Sequence, residues 1–104
     1  MDINDYISER NLEGVKPSGE KINIVVAVGV PYKDEKYESW ACPVKVEGLH
    51  KNLAAQHGID SWQALREAQK LVASILTHFI EDGGKLYIFG EREEVTTSEV
   101  QKYF

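Results

Sequence analysis

The sequence predicts an α+β domain: an antiparallel meander with one long amphipathic helix packed on one face, ordered β-β-β-α-β, with a short C-terminal helix after it. Three observations carry this. Residues 21–30 place Ile22, Ile24, Val26, Val28 and Val30 on one side at the two-residue period of a strand. Residues 60–81 repeat apolar side chains at helical spacing. Three strand-like segments follow one another before that helix, which favours antiparallel pairing.

Residues 6–15 form the first strand. Ile7, Leu12 and Val15 do not alternate cleanly, which predicts an edge position or a bulge. Lys16-Pro17-Ser18-Gly19-Glu20 is a turn. The second strand ends at Pro31, which cannot donate a ladder hydrogen bond. Its other side carries Val25, Ala27 and Gly29. Residues 32–39 read as a charged loop. Residues 40–46 are the third strand, with Trp40, Cys42, Val44 and Val46 on one side and Ala41, Pro43 and Lys45 on the other. Pro43 demands an edge or a bulge there. Residues 48–58 read as a polar connection with a helical turn at Leu53-Ala54-Ala55.

The helix over 60–81 has Asp60 as its N-cap and Gln63 in place to complete a capping box. Leu65, Ala68, Leu71, Val72, Ile75, Leu76 and Phe79 make its apolar stripe. Arg66, Glu67, Gln69, Lys70 and Ser74 face away, and Gly83-Gly84 stops it. Residues 85–89 are the last strand. Thr96 and Glu99 form a second capping-box pattern, with Val95 and Val100 placed as a hydrophobic staple, so a helix is expected over 97–103. One long helix covers one face of the sheet. The face bearing Val25 and Ala27 then needs a cover, either a second copy in a homodimer or the C-terminal segment 95–104.

The 104 residues fit a single domain, 1–104; 42% are hydrophobic, enough for one packed core. No apolar run approaches the ~20 residues of a membrane span. The first residues, Met-Asp-Ile-Asn-Asp, lack the basic-then-apolar layout of a signal peptide. With Cys42 the only cysteine, no internal disulfide forms, and the reading is cytoplasmic. The net charge is -5, and its twelve basic residues are scattered among acids, so no basic patch for nucleic acid is present. An acidic surface suits a basic protein partner.

Trp40-Ala41-Cys42-Pro43 followed by Glu47-Gly48-Leu49, then Gly58-Ile59-Asp60-Ser61-Trp62-Gln63-Ala64-Leu65 opening a helix, then a strand ending at Gly90, form a combined pattern. It resembles a family of small bacterial domains of unknown function with a W-x-C-P strand and a G-[VI]-D-S-x-Q-A-L helix start. The resemblance covers about residues 6–91 and implies a bacterial source and one fold, without an activity. Trp62 is bulkier than the family's aliphatic residue at that position, and the loop before Trp40 is longer.

Candidate chemistry is sparse. A nucleophilic Cys42 needs a base or cation to lower its pKa, and only His50 and His57 are available; packing is the commoner role of a lone cysteine. Cys42, His50, His57 and His78 lack the paired close spacing of a zinc site, so no metal and no cofactor is expected. Gly58-Ile59-Asp60-Ser61 opens a helix, but Asp60 supplies its own carboxylate there, so capping outweighs anion binding, and Ile59 can staple the chain entry. The candidate binding residues are Trp62, Tyr32, Tyr37, Trp40 and His57. Trp62 is a contact hot spot if exposed. Tyr32 and Tyr37 flank four charged residues in one loop. The expected function is a non-enzymatic protein-binding or accessory module, such as an immunity-type inhibitor of a basic toxin. The alternative is a small-molecule-binding or enzymatic domain with a pocket near Trp40, Cys42 and His57.

Overall fold

A computed structural model describes residues 6–104. The acidic start, residues 1–5, on which the signal-peptide reading rests, lies outside the described residues, as does that end of the 1–104 domain.

Strand β1 (Tyr6–Val15) pairs antiparallel with β2 (Lys21–Gly29) along its whole length, and the register slips between Tyr6 and Ser8, the expected bulge. Lys16–Glu20 closes this hairpin through Lys16 N–H to Glu20 O and Gly19 N–H to Lys16 O, both 2.8 Å. β5 (Val44–Glu47) adds to the far side of β2, and β7 (Lys85–Ile88) adds to β1, giving the order β5-β2-β1-β7. β7 covers only Leu12–Val15 of β1, so the first half of β1 is an edge.

A second sheet is built from β3 (Tyr32–Asp34), β4 (Ser39–Cys42) and β6 (Gln56–Gly58), in the order β3-β4-β6. This corrects three local expectations. Residues 32–39 contain a strand as well as a turn. Residues 53–55 form no helical turn, and the connection ends in β6. The strand expected over 40–46 is split at Pro43: the chain leaves the small sheet before it and enters the large sheet after it. Pro43 has no N–H for either ladder, but its carbonyl accepts from Gly29 N–H at 2.8 Å, which joins the two sheets.

Helix α1 (Ser61–Glu81) starts where Asp60 Oδ1 accepts from Gln63 N–H at 2.8 Å. The Gln63 side chain reaches back as a capping box would, but one residue further, taking Ile59 N–H at 2.7 Å. At its other end Gly83 N–H bonds Ile80 O and Gly84 N–H bonds Phe79 O, a Schellman closure with Gly83 at φ +100°. The helix buries Ala64, Ala68, Val72, Ala73 and Leu76. Leu65, Leu71, Ile75 and Phe79 are only partly buried and flank that line. The stripe is therefore centred on small residues, so helix and sheet approach closely, with Leu12, Ile24, Val26, Val28, Val44, Val46 and Leu86 supplying the sheet side of the core.

Helix α2 (Thr97–Tyr103) has the expected Thr96–Glu99 capping box, and the staple residues Val95 and Val100 are both buried. It packs beside α1, where Gln101 Nε2 donates to Thr77 Oγ1 at 3.2 Å. The C-terminal segment thus lies on the helix side of the sheet and does not cover Val25 and Ala27. Cross-strand pairing instead surrounds those two with Glu9, Asn11, Lys45 and Glu47, a largely polar outer face on which Ala27 is nonetheless buried.

Candidate functional site

Side chains of directly opposed residues project from the same face of a sheet. Tyr32, Ala41 and His57 are opposed across the small sheet, and Asp34 is opposed to Ser39 in the next row of that face. Because Ala41 and Ser39 are small, the His57 ring crosses over β4. Its Nε2 donates to Asp34 Oδ2 at 3.2 Å. The second oxygen, Asp34 Oδ1, accepts from Lys36 N–H at 3.2 Å and shapes the β3–β4 turn. One carboxylate therefore both forms the turn and ties it to β6. The turn in turn presents Tyr37, whose ring meets His57 edge-on at 5.4 Å. Ser39 Oγ is buried in this sheet and has no hydrogen-bond partner among the described residues.

The chain continues from His57 through Gly58 to Ile59, Asp60 and α1. Ile59 is 85% exposed and Trp62 80% exposed. Ile59 therefore does not staple the chain entry; it projects into solvent beside the helix start. Tyr37 and His57 form a contacting pair on the small sheet, and the chain leads from His57 directly to the exposed Ile59 and Trp62 at the start of α1; these four residues are the candidate surface. The DUF6968 family model, described as a domain of unknown function, matches residues 8–97. The chain belongs to this family. The match spans both sheets and α1, so the surface lies inside the DUF6968 domain. No curated protein and no solved structure matches the chain.

Of the remaining expected site residues of this DUF6968 domain, Tyr32 shares the His57 face and Trp40 does not. Trp40 is on the opposite face of the small sheet from His57 and is half-buried against the core. Cys42 shares the Trp40 face and is fully buried. His57 is opposed to Ala41, so its ring and the Cys42 thiol point to opposite sides. The expected pocket near Trp40, Cys42 and His57 is thus not assembled. Three grooves, of about 150, 400 and 650 Å³, are lined by other residues. Among the described residues no group of three or more His, Cys, Asp or Glu side chains is placed to hold a metal ion, and no helix is long and apolar enough to cross a membrane.

Burial pushes the Cys42 thiol up, against the opposing effect of its hydrogen bond to Gly29 O at 3.5 Å. The folded chain thus holds that proton above 9.0, the ordinary value. This contribution to stability is complete below pH 9 and is lost as pH rises through the folded thiol's own pKa. The native protein is expected to react with iodoacetamide far more slowly than free cysteine at pH 8, and to react rapidly once unfolded in urea. A native rate at or above that of free cysteine would contradict the burial.

Asp34 and Ile59 were not among the residues the sequence singled out as contacts. Asp34-Glu35-Lys36 carries a turn signal, but nothing in the sequence links it to a histidine 23 residues away.

Proposed function

We propose that this DUF6968 domain is a non-enzymatic protein-binding module whose contact surface is the small-sheet end, and that its partner is basic, as an immunity-type inhibitor's target would be. One observation carries the reading. Of seven large hydrophobic residues exposed among those described, five lie at this end: Ile7, Val30, Tyr37, Ile59 and Trp62. Tyr6 is opposed to Gly29, which places Ile7 and Val30 together beside the Gly29–Pro43 junction, and α1 begins at the same end. The opposite end, with the 16–20 turn and the glycines after α1, carries none of the seven. Exposed aromatic and aliphatic residues concentrated at one end favour that end as a contact region. The net charge of -5 favours approach of a positively charged partner. Cys42 and His57 on opposite faces of one sheet speak against a thiol-based enzyme.

The test compares immobilised wild type with an Ile59→Ser/Trp62→Ala variant in extract of the native host. The expected result is a basic protein retained by the wild type, released by raised salt, lost from the double variant and retained by a Phe89→Ser control. Equal retention by wild type and double variant would remove the small-sheet end as the contact surface.

A further inference from the structure

We propose a second docking surface, of opposite polarity to the first: the groove between α1 and α2, which fits an acidic amphipathic helix of a protein partner. The groove opens about 400 Å³ on the exposed side of α1. Its apolar lining is the nearly buried Ala73 and the half-buried Phe104, beside the hydrogen-bonded Gln101–Thr77 pair. Its α1 wall presents Arg66, Lys70 and His78, and no Asp or Glu side chain lines it. That polarity runs against the chain as a whole, in which 17 acidic residues outnumber 12 Lys and Arg.

The nearest acid on α1 is Glu67, 3.5 Å from Lys70 in an exposed pair that solvent and salt screen strongly. Arg66 has no ion-pair partner among the described residues. A ligand that buries apolar side chains on Ala73 and Phe104 while setting carboxylates against Arg66 and Lys70 satisfies both features. From Arg66 to His78 the wall runs roughly 18 Å at ~1.5 Å per residue, so the matching segment is a helix of about three turns.

The test uses the full chain and two fluorescein-labelled amphipathic helical peptides with the same apolar face, one flanked by Glu and one by Lys. Anisotropy is expected to show binding of the Glu peptide, weakening as salt is raised. Arg66→Glu/Lys70→Glu should weaken it at least about tenfold, because like charges then face each other. Arg92→Glu, in a separate groove beside Tyr87, should leave it unchanged. Circular dichroism confirms that the α1 variant keeps its helix. No binding of the Glu peptide, equal binding of the Lys peptide, or indifference to the α1 charge reversal would each overturn the proposal.

Discussion

Leu76→Ala is expected to lower the unfolding free energy by about 2–5 kcal/mol, the range for truncating a buried leucine whose surroundings cannot fully collapse. Leu76 has no solvent exposure and is the largest side chain on the buried line of α1, where Ala64, Ala68 and Val72 precede it. Those neighbours are small, so none can swing into the space it leaves. Against a total of about 5–15 kcal/mol for a domain, the loss is large enough to leave part of the chain unfolded at physiological temperature. Ile75→Ala should cost less, because Ile75 is only partly buried at the flank of the stripe. Lys70→Ala should stay within about 0.5 kcal/mol, as surface substitutions do. Urea denaturation of the three variants checks this. If Ile75→Ala were as damaging as Leu76→Ala, the centre of the helix face would lie one residue away from where the structure puts it.

That displacement of the stripe also indicates what the sequence could reveal. The existence and limits of α1, its Asp60 cap, its Gly83-Gly84 closure and the capping box of α2 are local facts, encoded within three or four residues of each other, and they were legible. So was β2, whose period-two pattern is unbroken from Ile22 to Val28. The centre of the helix face was less so. Pattern reading gives weight to large residues such as Leu71, Ile75 and Phe79, whereas close packing of a helix on a sheet puts alanines at the point of nearest approach. β3 and β6 are three residues each and have no apolar alternation; they are strands because β4 lies between them. The candidate surface depends on that same small sheet. Tyr32, Tyr37 and His57 were recognisable as aromatic candidates, but the carboxylate that gathers two of them, Asp34, becomes relevant only once β3 and β6 flank β4.

Gly58→Ala is expected to act on this small sheet directly, at a cost of about 1–3 kcal/mol, the usual penalty for adding a methylene-sized group to a packed site, with more where backbone must move. The reason is the close approach of two chain segments. A Cβ on Gly58 would lie 2.5 Å from Ala64 N and 2.8 Å from Gln63 C, both backbone atoms in the first turn of α1. Neither can rotate aside as a side-chain tip would. Relief therefore requires β6 to retreat from α1 or the start of α1 to shift. β6 is opposed to Trp40 through this same residue, and the neighbouring His57 holds Asp34 at 3.2 Å. Any retreat of β6 should thus loosen the turn that carries Tyr37. Two readouts are expected to move together: the urea midpoint falls, and the His57 and Tyr37 ring signals in the NMR spectrum shift toward solvent values. Ser61→Ala, at the exposed first position of α1, should change neither. A Gly58→Ala protein with wild-type stability and unchanged His57 and Tyr37 signals would mean that β6 and the start of α1 are further apart than described, and that the small-sheet surface is not braced by α1.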